Sequence, residues 1–377
     1  MPPTSAPNRD RLAVLIAYTG EGGVEKMMNN LLRGLVDAGV AVDLLLLKAR
    51  GEHVAGIPEG VNVVDLNVRT SLQALPALVW YLRHVRPRTL LAAKDRAGRV
   101  AVRARRLART ETRLVLRLGM HLSGSLAGKG PFARWLRYTP VRRLYPRIDA
   151  FITVAGPVAD DIAAIGRLPR ERFTVIPNPT VAPELPRLAA TPPDHPWLHP
   201  ARDGERPPVI LGAGRFKHQK DFATLLRAFA RLTEQRDARL LLLGDGPDRD
   251  ALEALAAELG LTDRVDFPGF QSNPAAWMAA ADLFVLSSRY EGAPNVLVEA
   301  LACGTPVVAT DCPSGPRDIL DGGRHGPLVP VGDATAMADA MAATLDAPRP
   351  ADELQAAVAD YTIPVATQRY LEVLFPG

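Results

Sequence analysis

The apolar residues of this chain fall in short continuous runs separated by longer amphipathic segments. Residues 12–17 and 42–47 are apolar at nearly every position, which is typical of strands buried on both faces. The segment 24–38 between them has apolar residues at helical spacing and ends before Gly39, a common position for a helix stop. Strands that alternate with helices in this way predict a parallel sheet covered on both sides. The predicted strands of this first series lie at residues 12–17, 42–47, 61–66, 89–93, 114–118, 151–154 and 174–176.

The same alternation starts again after residue 208. Between the two series, residues 177–208 contain ten prolines in 32 positions, a composition typical of a linker. We therefore predict an α/β protein with two doubly wound domains, at residues 1–185 and 186–361, and ligands at the carboxyl ends of the strands. The second series comprises strands at 209–211, 240–243, 265–267 and 282–286, with helices at 222–232, 249–259, 274–281, 334–345 and 352–359.

Length and composition agree with this organisation. A chain of 377 residues exceeds the usual size of one core, and 47% hydrophobic with 23% charged residues describes a globular protein. No apolar run approaches the ~18 residues of a membrane span, and the short polar start predicts no secretory signal. The two cysteines, Cys303 and Cys312, lack metal-ligand neighbours and favour a reduced, cytoplasmic setting.

Charge is divided unevenly between the two halves. Residues 1–180 have 28 Lys and Arg against 14 Asp and Glu, a net charge of +14, whereas residues 181–377 have 17 against 27, a net charge of −10. The basic half predicts a partner of opposite charge, either an anionic membrane or nucleic acid. No nucleic-acid-binding motif supports the second, and an arginine-rich solvated surface is the plain alternative. One arginine cluster lies on a predicted helix and the other is interleaved with aromatic and leucine residues, as in interfacial helices. The two clusters are Arg99, Arg103, Arg105, Arg106 and Arg109, and Arg134, Arg137, Arg142, Arg143 and Arg147.

Two acids stand eight residues apart where a strand gives way to a helix. Glu291 precedes a helix that we expect to open near Pro294, and Glu299 lies about two turns along it. The helix N-terminus between them favours an anionic group. Carboxylates beside a site for negative charge suggest a ligand with both sugar hydroxyls and phosphates.

Glycine loops open both domains. Gly22 and Gly23 follow the first strand directly and lead into a helix, where backbone N–H groups can approach a phosphate. In the second domain, Arg215 and Lys220 lie five residues apart on the loop after residues 209–214. A guanidinium and an ammonium at this spacing can converge on one pyrophosphate, with Lys217 as the competing lysine.

The Glu291 motif closely resembles the E-x7-E signature of retaining GT-B glycosyltransferases of family 4. The resemblance continues from residue 300 to residue 311, and residues 312–320 are similar to a subgroup that builds bacterial surface polysaccharides and lipid-linked glycans. It implies the GT-B fold, with two Rossmann-like domains facing across a cleft and a C-terminal helix, 362–377, that packs back on the first domain. The sequence departs from the family at Ala155, where a serine that caps the next helix is common.

The resemblance also implies the chemistry. It implies transfer of a hexose or N-acetylhexosamine, with retention of anomeric configuration, from a nucleotide diphosphate sugar to a glycan or polyprenyl-linked acceptor. We expect UDP to be favoured over GDP and no cofactor or metal, because the acidic triplet at Asp248 and Asp250 is better interpreted as a helix start. We expect a cytoplasmic protein, peripheral on the inner face of the plasma membrane, with no nucleic-acid partner.

Site roles follow from the same resemblance. Glu291 is expected on the donor-sugar hydroxyls, Glu299 on the nucleotide ribose, and Arg215 with Lys220 on the diphosphate. His121, in the loop after residue 118, is expected near the sugar, and Arg117 could face the acceptor. The remaining donor-binding residues implied are Gly22, Gly23, Gly292, Ala293, Pro294, Asn295 and Val296.

Two other classes remain open at this point. A GT-B nucleotide-sugar epimerase shares the architecture but would release free sugar and need no acceptor. A non-catalytic nucleotide-sugar-binding protein would be expected to have lost Glu291, Glu299, Arg215 or Lys220, and all four are present.

Overall fold

The computed structural model describes residues 11–19, 23–68, 70–126, 128–199 and 206–376. It divides into two compact units. Unit 1 comprises Met1–Pro179 and Ile363–Gly377, and unit 2 comprises Thr180–Thr362. Each unit is built on its own parallel sheet with helices on both faces, which confirms the predicted fold class.

Within the described residues, the sheet of unit 1 has seven strands in the order β3-β2-β1-β4-β5-β6-β7. Every described pair in this sheet is parallel. The strands are β1 (Arg11–Thr19), β2 (Ala41–Arg50), β3 (Asn62–Asp65), β4 (Thr89–Ala93), β5 (Arg113–Leu118), β6 (Ala150–Thr153) and β7 (Phe173–Val175). The helices that follow them before residue 179 are α1 (Gly23–Asp37), α2 (Leu75–His84), α3 (Asp95–Ala108), α4 (Pro131–Leu144) and α5 (Gly156–Gly166).

The side chains of β1 show why a continuous apolar run predicts a strand that is buried on both faces. Ala13 and Leu15 belong to the core on one face of the sheet, with α2 and α3. Val14 and Ile16 belong to the core on the other face, with α1. Because successive strand residues point to opposite faces, a strand buried on both sides must be apolar at every position.

Unit 2 contains the second sheet, in the order β10-β9-β8-β11-β12-β13, again parallel. Its strands are β8 (Val209–Ala213), β9 (Arg239–Leu243), β10 (Val265–Gly269), β11 (Leu283–Leu286), β12 (Val307–Thr310) and β13 (Leu328–Val329). Its helices are α6 (Leu185–Ala189), α7 (Phe222–Thr233), α8 (Arg249–Glu258), α9 (Pro274–Ala280), α10 (Asn295–Ala302), α11 (Pro316–Ile319), α12 (Ala334–Asp346) and α13 (Ala351–Ala356).

The proline-rich segment is not a linker over its whole length, so that prediction was wrong. Helix α6 packs against α9, and Leu198 lies in the core of unit 2. His195 is buried, and its Nε2 lies 2.9 Å from Oδ2 of Asp266. The segment forms an irregular layer on unit 2, and apolar side chains between the prolines, such as Leu185 and Leu198, are buried.

The C-terminal helix, α14 (Ile363–Leu374), belongs to unit 1. It packs against α1, and its buried residues Ala366, Tyr370 and Leu374 join the same core as β1. The Thr89 hydroxyl donates to the Leu374 carbonyl at 2.6 Å, which fixes the end of the helix against β4.

Two smaller findings concern the helices. Ala155 lies at the N-cap of α5, where no side-chain hydrogen bond caps the helix, as expected for alanine in place of a hydroxyl residue. In the part of the chain that the structure describes, no helix is both long and apolar enough to cross a membrane.

Candidate active site

The residues predicted for unit 2 lie along one edge of its sheet, where the parallel strands end. Strand β8 ends at Ala213, two residues before Arg215, and β11 ends at Leu286, five residues before Glu291. Ligands of doubly wound domains bind at this carboxyl edge. The structure therefore brings together groups that are 71 residues apart in the sequence.

The central contact is an ion pair between Lys220 and Glu291. Lys220 Nζ lies 2.6 Å from Glu291 Oε1, and the two side chains are 14% and 8% exposed. The Ser288 hydroxyl donates to the same carboxylate oxygen at 2.7 Å. An ammonium has three N–H donors, so the pair with Glu291 leaves two directions for phosphate oxygens. A burial this deep is tolerable because each charge has its partner.

Backbone and side-chain hydrogen bonds hold the Lys220 loop against the loop after β11. The Gln219 amide donates to the Tyr290 carbonyl at 3.0 Å, and the Ser287 hydroxyl donates to the Lys220 carbonyl at 2.8 Å. Gly214 makes room for the lysine: its φ is +154°, and a Cβ there would lie 3.0 Å from Lys220 Cε. The lysine is thus fixed by its own loop as well as by the carboxylate.

A third loop supports Glu291 from behind. The Ser314 hydroxyl donates to the Glu291 carbonyl at 2.7 Å. At Gly315, φ is +84° and a Cβ would lie 2.7 Å from Pro294 Cδ, so glycine allows the close approach of this loop to residues 292–294. These contacts fix the backbone of Gly292, Ala293 and Pro294, which leads into α10.

Helix α10 begins at Asn295, with Pro294 at the N-cap, so the expected opening near Pro294 is confirmed to within one residue. Asn295 and Val296 form its first turn, and the Thr180 hydroxyl donates to Asn295 Oδ1 at 3.3 Å. Glu299 lies in the second turn and is buried. The helix N-terminus sits between the two glutamates in sequence and favours negative charge beside Glu291.

The other basic residues of the glycine loop have a different environment. Arg215 and Lys217 are both exposed, whereas Phe216 between them is fully buried. The Phe216 N–H donates to the Asp245 carbonyl at 2.8 Å, which ties this loop to the end of β9. The Gly214 N–H donates to the Leu243 carbonyl at 2.9 Å, so the backbone is held on both sides of the exposed Arg215.

Sequence reasoning missed three supporting residues: Ser288, Gln219 and Ser314. Ser288 could have been found, because it lies two residues after β11, at the edge where ligands bind, and three residues before Glu291. Gln219 and Ser314 gave no such signal. Their contacts to residues 290 and 291 depend on loops distant in sequence.

In unit 1, the predicted Gly22 lies outside the described residues, and Gly23 is the first residue of α1. Glu25, in the first turn of α1, is buried, and its Oε1 lies 4.0 Å from Lys94 Nζ. Lys94 follows β4 directly and has φ of +75°, an uncommon conformation for a lysine. The carboxyl edge of this sheet therefore also carries a charged pair, which the sequence did not indicate.

His121 follows β5, and its ring is tied to its own loop. The Gly124 N–H donates to His121 Nδ1 at 3.1 Å, and Nδ1 lies 3.7 Å from Asp161 Oδ2. Because Nδ1 accepts this bond, the neutral ring carries its proton on Nε2. The ring is partly exposed, so Nε2 is a hydrogen-bond donor at the same edge of unit 1 as α1.

Arg117 does not face an acceptor, contrary to the sequence interpretation. It is 1% exposed, and its Nη2 donates to Asn178 Oδ1 at 2.6 Å. The side chain lies inside unit 1, near Tyr370 of α14. An arginine within the apolar run of β5 was the available signal for this internal role.

Cys312 lies close to the ion pair but is not a nucleophile. Burial, with the neighbouring Glu291 carboxylate as the next cause, raises the pKa of the Cys312 thiol to about 12. The thiol is neutral near pH 7, and a thiol rather than a thiolate is unreactive.

The acidic triplet lies at a helix start. Asp248 occupies the N-cap position of α8 and Asp250 its first turn. Among the described residues, no three His, Cys, Asp or Glu side chains form a group that could hold a metal ion.

Comparison with known proteins agrees with this organisation. Residues 22–179 match the glycosyl transferase 4-like domain, and residues 207–347 match the glycosyl transferases group 1. The lipopolysaccharide core biosynthesis glycosyltransferase LpsD of Rhizobium meliloti is 30% identical over 350 residues, 90% of this chain and 90% of LpsD. This chain belongs to the GT-B glycosyltransferases.

A second relative of this glycosyltransferase matches over a shorter stretch, and a solved structure matches over nearly the whole chain at lower identity. LpsE of Rhizobium meliloti, also a lipopolysaccharide core biosynthesis glycosyltransferase, is 44% identical over 134 residues, which is 36% of this chain and 38% of LpsE. The crystal structure of Anabaena Alr3699/HepE in complex with UDP and glucose has a TM-score of 0.76 at 21% identity, covering 97% of this chain and 99% of that one. At that identity the likeness establishes the shared fold.

Proposed function

We propose that this glycosyltransferase moves a hexose or N-acetylhexosamine from a nucleotide diphosphate sugar, UDP rather than GDP, to a glycan or lipid-linked acceptor. The observation that carries the proposal is the Lys220–Glu291 pair, 2.6 Å apart at the carboxyl edge of the unit 2 sheet. It is supported by HepE, whose fold this chain shares and whose crystal holds UDP and glucose. LpsD and LpsE, named for lipopolysaccharide core biosynthesis, support an acceptor glycan carried on a lipid.

Each site residue has a role in the proposed reaction. Arg215, Lys220 and the first N–H groups of α10 bind the donor diphosphate and stabilise the charge that develops as it leaves. Glu291 accepts hydrogen bonds from donor-sugar hydroxyls, and Glu299 from the nucleotide ribose. In unit 1, we propose that Gly22, Gly23 and the His121 side chain also contribute to binding the donor. The diphosphate charge is neutralised by side chains and backbone, and the proposal requires no metal or cofactor.

The proposed reaction retains the anomeric configuration. The bond between the anomeric carbon and the diphosphate oxygen breaks, and the acceptor hydroxyl forms its bond on the same face of the sugar. The acceptor proton passes to an oxygen of the departing diphosphate. Glu291 is not assigned as a nucleophile, because its carboxylate already accepts from Lys220 and Ser288.

The protein is proposed to work on the cytoplasmic side of an anionic membrane, as a peripheral protein. The net charge of +14 on residues 1–180 supports this location. Each arginine near an anionic surface contributes about 1 kcal/mol to binding, and salt screens that contribution.

The test is a screen of UDP- and GDP-sugars against polyprenyl-diphosphate-linked and lipopolysaccharide-core acceptors. We expect mass spectrometry to show an acceptor with one added sugar, and NMR to show an α-linked product from an α-configured donor. A β-linked product would overturn retention but not transfer. Release of free, epimerised sugar without any acceptor would replace the proposal with the epimerase alternative.

A further inference from the structure

Unit 1 has a basic recess at the amino edge of its sheet, the edge opposite to the one that carries His121. The recess lies where β5, β6 and β7 begin, between the end of α3 and the loops that precede β6 and β7. Its volume is about 450 Å³, which is within the range of sites for small ligands. We call it the arginine recess; its arginines are Arg105, Arg106, Arg109, Arg147 and Arg172.

Positive charge in the recess greatly exceeds negative charge. Among the residues that line it, only Asp149 carries a carboxylate, so five guanidiniums and this one group leave a net charge of +4. Asp149 already pairs with Arg105 and accepts from the Leu114 N–H at 2.6 Å. Like charges held at one recess repel each other, and a bound anion would relieve that repulsion.

Backbone carbonyls hold three of the arginines in place. Arg105 donates to the Arg147 carbonyl, and Arg172 donates to the Ile148 carbonyl. Arg147 in turn donates to the Arg143 carbonyl. A guanidinium has five N–H donors, so each of these side chains keeps donors for a ligand. Because their positions are already fixed, less side-chain freedom is lost when a ligand binds.

The remaining polar groups of the recess have no such contacts. Arg106 and Arg109 are exposed, and in the part of the chain that the structure describes their side chains make no hydrogen bond or ion pair. Thr110 also lines the recess, and its buried hydroxyl has no hydrogen-bond partner among those residues. A buried hydroxyl without a partner costs free energy that a ligand oxygen would offset. Guanidinium and hydroxyl donors suit phosphate oxygens.

We propose that the arginine recess binds a small soluble anion with two phosphate groups, a diphosphate or a bisphosphate. One phosphate group carries a charge of about −2 near pH 7, so two of them match the net charge of +4. The recess lies at the opposite edge of the sheet from His121, so this anion is not the donor of the proposed reaction. The inference therefore does not rest on the proposed function.

Calorimetry with inorganic pyrophosphate tests the site. The titration uses Lys220→Gln/Glu291→Gln, so that the proposed donor site does not contribute, and we expect one pyrophosphate to bind per chain. Adding Arg106→Gln/Arg109→Gln should raise the Kd on the order of 100-fold, because two charge-assisted contacts to phosphate are lost. Both arginines are exposed, so the melting temperature should not fall.

The matched control removes the same charge from another part of unit 1. Arg134 and Arg137 are exposed and do not line the recess. Arg134→Gln/Arg137→Gln in the same background should bind pyrophosphate like its parent. Wild-type affinity in the Arg106→Gln/Arg109→Gln variant, or an equal loss in the control, would overturn the site.

The number of phosphate groups is tested with smaller anions. Inorganic phosphate and sulfate should bind at least about tenfold more weakly than pyrophosphate, because each engages only part of the recess. Equal affinities for all three anions would show attraction to a basic surface without a built site, and would overturn the proposal.

A lipid headgroup offers the same phosphate chemistry, so the source of the phosphate needs its own measurement. Sedimentation with vesicles of phosphatidylcholine and phosphatidic acid provides it. Vesicle binding that depends on Arg106 and Arg109, without any binding of pyrophosphate, would overturn the soluble ligand. Pyrophosphate binding without such vesicle binding is the result we expect.

Failure of the proposed function would look different. Arg106→Gln/Arg109→Gln in the otherwise unchanged chain should transfer sugar at the wild-type rate, because neither arginine has a role in the proposed reaction. If no sugar transfer is found but pyrophosphate binds as described, the recess stands and the proposed function falls.

Discussion

Glu291→Gln is expected to lower the rate of sugar transfer on the order of 10²-fold or more, with the protein still folded. The carboxylate is proposed to hold the donor sugar through its hydroxyls as the diphosphate departs. Glutamine keeps the shape of the side chain but loses the charge that orders Lys220 at 2.6 Å and accepts from Ser288 at 2.7 Å. A loss of that size corresponds to a few kcal/mol of transition-state stabilisation.

Glutamine is a better replacement than alanine for a physical reason. Glu291→Ala would leave the mostly buried Lys220 without its partner, and an unpaired buried charge is strongly destabilising. A loss of activity in the alanine variant would then mix catalysis with unfolding. The glutamine side-chain oxygen can still accept a hydrogen bond from Lys220, so the glutamine variant should lose less stability than the alanine variant.

Asp282→Asn is the matched control. Asp282 pairs with Arg206 and accepts from the Val209 N–H at 2.7 Å, at the start of β11, the opposite end from Glu291. It should lose stability and keep its turnover rate. The assignment of Glu291 is wrong if Glu291→Gln turns over at the wild-type rate, or if Asp282→Asn loses as much activity.

Loss of the Lys220 or Arg215 side-chain charge is expected to weaken binding of UDP far more than binding of uridine. A charge-assisted hydrogen bond to a phosphate oxygen is worth roughly 1.5–3 kcal/mol, so each substitution should raise the Kd for UDP about 10- to 100-fold. Calorimetry with both ligands measures the difference directly. Lys217→Ala, on the same loop and exposed, is the matched control and should change neither affinity much.

The Lys220 substitution needs one further comparison. In Lys220→Gln, Glu291 remains as an unpaired negative charge and repels the diphosphate, which exaggerates the loss. The same substitution in the Glu291→Gln background removes that repulsion, and the double-mutant cycle isolates the direct contact to phosphate. Equal losses for UDP and uridine in that background would show that Lys220 does not contact the diphosphate.

Much of the fold could be predicted because local pattern and burial coincide in doubly wound domains. Both predicted ends of β4 are correct, because a strand buried on both faces is apolar along most of its length and the residues that flank it, Arg88 and Lys94, are charged. Strand β13 was missed because two residues, Leu328–Val329, are too few to show any period. The linker prediction failed because prolines mark irregular backbone without saying whether its apolar side chains are buried.

The site was predictable in its residue types and not in its contacts. Glu291 and Lys220 stand out by their positions after strands, but their 2.6 Å contact depends on loops from β8, β11 and β12 that meet only in the fold. Charge patterning likewise indicated a basic half. It could not distinguish Arg99, which pairs with Asp95 on its own helix, from Arg106 and Arg109, which are exposed.

Hydrogen–deuterium exchange with and without UDP measures whether unit 2 holds the donor at the Lys220–Glu291 pair. We expect slower exchange on UDP binding in residues 214–221 and 291–299, and this protection should be lost in Lys220→Gln/Glu291→Gln. Protection confined to unit 1, with residues 214–221 and 291–299 unchanged, would show that the donor does not bind at this pair.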